Sequence, residues 1–223
     1  MSEPYMAYSG SEQLFSSILK HCNYHIPARH QSPPEAPPKN AAGEDVGVGE
    51  GWWFETREKG GLGLEVTFNA WSQVMMLYLW ALAVRVRAFS GGKDMANTWH
   101  QQLIDRYFWS AEERMEVEHN LTSRSVRNKY LKEMWQQWRA RMVSLEEGLI
   151  KDDAVLAAAV WRGLFSVGDA PDTNADIYQL ALITAWLRCV LSDLQAMPEE
   201  QIMLGQVEWR RPDDAAIERV LDV

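Results

Sequence analysis

Cysteine is nearly missing from this chain of 223 residues: Cys22 and Cys189 are the only two, which argues against a disulfide framework. A chain of this length buries roughly 70% of the surface its unfolded form exposes, so it needs no such staple. Long apolar runs are missing as well. The longest, Val74 to Val84, is closed by Arg85 and Arg87 and falls short of the roughly 18 residues that argue for a membrane-spanning helix. Positive charge is scarce, with 22 Lys and Arg against 31 Asp and Glu; the net charge of −9 argues against a protein that coats nucleic acid through its overall charge. Also missing are a Walker loop, a dinucleotide glycine fingerprint and a nucleophile elbow. Gly60-Gly-Leu-Gly63 has neither a strand before it nor a lysine after it. The N-terminus places Glu3 and Glu12 ahead of its first cation, Lys20, so no presequence or secretory signal is expected there.

Tryptophan, by contrast, is abundant. Eleven of these large rings imply a Trp-rich core or an apolar binding surface. Strand-type alternation is rare and helical spacing common, so the expected class is all-α, a multi-helix bundle. Ser9 and Glu12 form a candidate capping box for a short N-terminal helix, about Ser11 to Cys22, placed in a segment 1–22. Residues 23–51 carry four prolines between Pro33 and Pro38 and then Gly43, Gly47, Gly49 and Gly51. This stretch predicts a flexible linker, with almost nothing to bury from Pro27 to Gly51.

The helical domain is expected over 52–223. It opens on Trp52-Trp53-Phe54 and continues with a helix, Phe68 to Phe89, that is apolar all round in its middle third. Asn97 or Thr98 should cap a second helix, with Trp99, Leu103, Tyr107, Ala111 and Met115 on one face. A third should run from Ser123 to Glu147, with Tyr130, Met134, Trp138 and Met142 inward and Gly148 as its stop. Asp152 and Asp153 announce a fourth, Ala154 to Val167. Gly168, Pro171 and Asn174 mark a break before a fifth, Asp176 to Met197. Gln206 to Trp209 is a candidate short strand, followed by a charged C-terminal turn.

Three constellations bear on chemistry. Cys22, His25 and His30 imitate half a zinc site, yet no second knuckle follows, so no metal is expected. Glu116-x-x-His119 is the unit that holds iron in helical carboxylate proteins, but such sites need it twice, and a solvated acidic face is the plainer reading. A helical metal-carboxylate enzyme or a structural adaptor stays as the alternative; no catalytic constellation and no cofactor site is visible. The charge pattern says more. Between Arg124 and Arg141 six cations face one acid, and Lys129, Lys132, Gln136 and Arg139, spaced 3, 4 and 3 apart, form one stripe suited to ribosomal RNA, anionic headgroups or plain solvation. Arg127 falls on the opposite, apolar side and is expected in a structural ion pair with Asp105, Glu112 or Glu113. Trp52, Trp53, Phe54, Trp71, Met75 and Tyr78 are either core or an adaptable surface for a hydrophobic client or partner, with sealing of the bundle favoured for the first three.

The blocks GEDVGVGEGWWFE (43–55), TFNAWSQVMMLYLWALAVRVR (67–87), TWHQQLIDRYFWSAEERM (98–115), VRNKYLKEMWQQWRA (126–140) and EEGLIKDDAVLAAAVWRGLF (146–165) resemble the fungal ubiquinol-cytochrome c chaperone family. The resemblance implies a non-enzymatic assembly factor for respiratory complex III. It implies a place in the mitochondrial matrix, peripheral to the inner membrane and at the tunnel exit of the mitochondrial ribosome. There, with a small partner protein in a heterodimer, it would hold newly synthesised cytochrome b.

Overall fold

A computed structural model describes residues 3–165 and 177–212. Among them are seven α-helices and one two-stranded pairing: α1 Glu3–Cys22, β1 Tyr24–His25, β2 Val48–Gly49, α2 Phe68–Val86, α3 Gly92–Val117, α4 Arg124–Ile150, α5 Asp153–Leu164, α6 Ile177–Ala196 and α7 Glu199–Met203. The all-α class is what the structure has. The expected break at Gly168, Pro171 and Asn174 and the charged C-terminal turn lie outside the described residues.

The centre of the bundle is α2. Thr67 caps it by accepting from the Ala70 amide. From Trp71 to Ala83 every side chain is buried, polar Ser72 and Gln73 included. A helix apolar all round has no face to give to water, so its neighbours must enclose it; α1, α3, α4, α5 and α6 all pack against it. The second apolar helix, α6, meets the length and composition of a membrane-crossing helix, which the run-length reading did not anticipate. In the fold it packs against α2 and α5, with Ala181 to Leu187 buried.

Several boundaries differ from expectation for local reasons. Helix α1 begins at Glu3, so Ser9 is inside it rather than at a cap. Gly10 allows its close passage, since a Cβ there would meet the Met203 carbonyl oxygen at 2.2 Å and the Trp99 ring at 2.4 Å. Helix α3 starts at Gly92 in left-handed conformation, φ +78°, and Thr98 bonds back to the Asp94 carbonyl from within the helix. Helix α4 runs through Gly148 to Ile150. That glycine is a contact rather than a stop, because a Cβ would sit 2.5 Å from Leu156 Cα of α5. Residues 206–209 form no strand, yet Val207 and Trp209 are buried and the Trp209 indole donates to Ser17 Oγ.

Residues 23–51 form a strap with anchors: between Pro27 and Gly51 only Pro37 is buried, as the composition suggests, and the apolar anchors lie just before that stretch. Tyr24 and Ile26 are fully buried, and β1 pairs antiparallel with β2 in the register Tyr24 to Gly49. The end of α3 holds the strap through polar groups that composition does not reveal. Arg114 donates to the Tyr24 carbonyl (2.9 Å) and Asn23 Oδ1 (2.6 Å) and lies over the Tyr24 and Trp71 rings. Glu118 accepts from the Ile26 amide at 2.7 Å. Tyr24 Oη lies 2.8 Å from His119 Nε2, and His119 Nδ1 lies 3.4 Å from Asp45, which also receives Lys39 and Arg29.

The electrostatics follow from that burial. Loss of solvent pushes the His119 imidazole below its ordinary 6.5, against the opposing pull of Asp45. Burial alone would raise the Asp45 carboxyl, but hydrogen bonds from Lys39, Arg29 and His119 outweigh it and hold the group below the usual carboxylate range. His21 and His100 are lowered by burial too. A histidine whose folded value is depressed binds its proton more readily when unfolded, so stability is complete above 6.5 and falls as pH drops below it. Urea unfolding midpoints should therefore decline between about pH 6.5 and pH 5. His119→Gln, which keeps an acceptor for Tyr24 without titrating, should make that decline shallower; an unchanged slope would refute the assignment.

Candidate functional site: the outer face of helix α4

Helix α4 is held from within by two arginines. Arg127 donates through Nη1 to the carbonyls of Leu121 (2.8 Å) and Thr122 (3.0 Å), which closes the turn after α3, where Asn120 takes a left-handed φ of 53°. It also reaches Glu112 at 3.4 Å and Glu116 at 3.5 Å. Of the expected partners only Glu112 is engaged. Glu112 and Glu116 are one turn apart on the side of α3 that meets α4, whereas Asp105 accepts from Gln101 and Glu113 is exposed.

Arg141 is the second anchor. It counts among the cations of the sequence stretch but is buried, donating to the Ala159 carbonyl (2.6 Å) and to Gln73 Oε1 (2.5 Å), while Gln73 Nε2 donates to Gln137. This links α4 to α5 and to the otherwise apolar α2. Burial, with Arg162 nearby, depresses the Arg141 guanidinium to about 10, so it stays charged at neutral pH. Gly163 makes room for it, since a Cβ there would meet Nη2 at 1.3 Å.

With Arg127 and Arg141 turned inward, the exposed positive charge is smaller than the sequence count. Lys129, Lys132 and Arg139 all face solvent with Gln136 between them, and Lys129 approaches Glu133 at 4.0 Å. Among the described residues no ion pair reaches Lys132 or Arg139. The stripe continues along the same face into Val143 and Ile150, which are 71% and 81% exposed. Trp135, at its edge, leans on Phe108 of α3 with ring centroids 5.9 Å apart. Tyr130, expected to face inward, is exposed instead.

The residues considered for client binding are elsewhere. Gly51, at φ +88°, turns so tightly that a Cβ would strike the His21 carbonyl oxygen at 1.8 Å; the turn delivers Trp52 and Trp53 into the core. The two rings stack at 3.9 Å, Trp186 stands edge-on to Trp53 at 5.1 Å, and the Trp53 indole donates to Tyr78 Oη at 3.1 Å. Tyr78 also meets Trp209 at 4.9 Å. Trp71 and Met75 are fully buried and Phe54 half-buried. These rings fill the centre of the bundle and present no open surface in this structure.

The metal-like motifs are also committed elsewhere. Cys22 is buried 3.4 Å from Met75 Sδ, and its thiol is pushed up to about 12 by burial. His30 meets Glu118, His25 is exposed, Glu116 serves Arg127 and His119 serves Tyr24. Among the described residues no group of three or more His, Cys, Asp or Glu side chains converges as an ion site.

Two substitutions test this account of α4. Gly163→Ala drives a methyl into the Arg141 guanidinium and should cost about 3 kcal/mol or more, through overpacking and lost hydrogen bonds to buried acceptors. Arg127→Ala uncovers two turn carbonyls and should cost about 2–3 kcal/mol. Chemical denaturation checks both, and a neutral result in either would remove that arginine from the frame.

No solved structure matches the chain. A family profile described as ubiquinol-cytochrome C chaperone matches residues 61–209, which takes in α2 to α7 and leaves α1 and the strap pairing outside. Protein CBP3, mitochondrial, of Saccharomyces cerevisiae is 31% identical over 153 residues, 68% of this chain and 43% of its own length. The ubiquinol-cytochrome c reductase complex assembly factor 1 of Drosophila melanogaster is 26% identical over 153 residues, 68% of this chain and 57% of its own length. The protein of the same name from Mus musculus is 29% identical over 150 residues, 65% and 46%. The chain thus spans about half the length of these curated relatives, and the kinship reaches animals as well as fungi. Matched over more than half its length by one profile, the chain belongs to the ubiquinol-cytochrome C chaperone family.

Proposed function

We propose that this chain is an assembly chaperone for mitochondrial complex III. In this reading it is no enzyme. It binds newly synthesised cytochrome b at the tunnel exit of the mitochondrial ribosome together with a small partner protein, in the matrix and peripheral to the inner membrane. The observation that carries the reading is the profile match over α2 to α7, supported by the animal relatives that are named as ubiquinol-cytochrome c reductase complex assembly factors. The outer face of α4 contributes the attachment. Several aligned cations on a partly apolar helix face favour an anionic surface, and such binding weakens steeply with salt. A helical metal-carboxylate enzyme is the weaker reading, because Glu116 and His119 are already engaged by Arg127 and Tyr24.

Lys129→Glu, Lys132→Glu and Arg139→Glu together should release the protein from mitochondrial ribosomes and membranes at moderate salt while leaving its helicity unchanged. Co-sedimentation at stepped ionic strength measures this, and attachment equal to that of the native chain would refute the role of the stripe. In-organelle crosslinking followed by identification of attached proteins tests the client: failure to recover cytochrome b would sink that part of the reading.

A further inference from the structure

Beside the basic stripe of α4 runs an acidic one. On α3, Asp105, Trp109 and Glu113 follow at intervals of four, the first half-buried and the other two exposed. Trp109 is 54% exposed, and beside it the Arg106 guanidinium lies 4.3 Å from the Tyr8 ring and 5.7 Å from the Trp109 ring. An exposed Trp next to charges is the composition of an interface anchor. On α4 the counterpart is Trp135, 44% exposed, beside Lys132 and Arg139. One helical hairpin therefore presents two parallel stripes of opposite sign, each with its own tryptophan.

The register across the hairpin is fixed by two contacts, Phe108 against Trp135 and Glu112 against Arg127. In antiparallel helices this sets Glu113 level with Lys129, Trp109 with Lys132, and Gln101 with Arg139. A two-fold axis lying in the surface and parallel to the helices carries α3 of one copy over α4 of the other without shifting it along the axis. Glu113 of each copy then meets Lys129 of its partner, and Trp109 meets the Lys132 ammonium. A two-fold axis lying in the surface but perpendicular to the helices lays α3 on α3, acid on acid. We propose that the α3–α4 face is a self-complementary interface through which two copies of this chain pair.

The dimensions suffice for pairing. Helices of 26 and 27 residues are about 40 Å long, and two side by side span about 20 Å, which gives about 800 Å² per copy, the size of a standard interface. Because charges dominate the rim, the pair should be weak, with a Kd on the order of 10 μM at low salt, and should dissociate as salt rises. It covers Lys129 and Lys132, so pairing and attachment to an anionic surface exclude each other. The proposal stands independently of that attachment.

The test is sedimentation of the full chain over a concentration series at about 50 mM salt and again at about 500 mM. The native protein should approach twice 25.6 kDa only at low salt. Lys129→Glu with Lys132→Glu, and separately Asp105→Lys with Glu113→Lys, should each weaken pairing at least tenfold. An equimolar mixture of the two double variants should restore it in part, since both contacts between positions 113 and 129 of the mixed pair are again between opposite charges, while one of the two contacts of Trp109 with Lys132 is lost. Trp109→Ala should also weaken it while leaving the melting temperature within a degree or two, as its ring is half exposed. A native chain that stays monomeric at low salt, or a dimer that survives both double reversals, overturns the proposal. The Asp105→Lys with Glu113→Lys variant keeps the α4 stripe intact, so loss of its dimer without loss of membrane or ribosome attachment separates the two roles.

Discussion

Everything in this fold answers to the enclosure of α2. A helix buried from Trp71 to Ala83 can exist in water only if other elements cover its whole circumference, and five helices do so. The Trp52 and Trp53 pair and Trp209 reach the same centre from segments with no regular structure, through Tyr78 and Trp186. This is where much of the aromatic content goes: Trp52, Trp53, Trp71, Trp80, Trp99 and Trp186 are among the largest fully buried side chains. Filling so many sites with flat, rigid rings gives a densely packed centre in which large-to-small substitutions are costly; Trp53→Ala, for instance, falls in the class that loses about 3–5 kcal/mol.

Enclosure also explains the odd polar choices. Gln73 is buried on α2, and its Oε1 would be an orphan but for Arg141, which in turn is bonded to the Ala159 carbonyl. Three helices are thereby fixed in one rotational setting, because a guanidinium aimed at two acceptors tolerates little sliding. The consequence appears on the other side of α4. With one face pinned by Arg127 and Arg141, the opposite face is held outward as a set, and Lys129, Lys132, Arg139, Val143 and Ile150 share a common direction.

Periodicity made the helices legible, because burial on one side imposes a repeat of 3.6 that survives in the sequence. The stripe on α4 was legible for the same reason. Boundaries were not, since Gly148 and Gly10 serve close approach of other elements, and nothing local distinguishes a glycine that ends a helix from one that admits a neighbour. The strap was missed because its anchors, Arg114, Glu118 and His119, are about 90 residues away from Tyr24 and Ile26. The burial of Arg141 is masked by its charge. Its position on the wheel, close to that of Met134 and Leu145, was the available signal, and weight given to face over residue type would have found it.

The same geometry resolves an apparent conflict between the overall charge of −9 and a cationic binding stripe. At physiological ionic strength electrostatic influence decays over about 8 Å, less than the roughly 10 Å width of a helix with its side chains. A planar or gently curved anionic surface resting on α4 therefore feels Lys129, Lys132 and Arg139 far more than the acids on α1, α5 or α7. The nearest countering charges are those of α3, notably Asp105 and Glu113, one helix width away. They set the angle of approach: a surface laid flat across the hairpin meets both signs and gains little, whereas one tilted toward the outer edge of α4 meets the cations first, with Val143 and Ile150 beside them. Local sign, not net charge, decides what this face can touch.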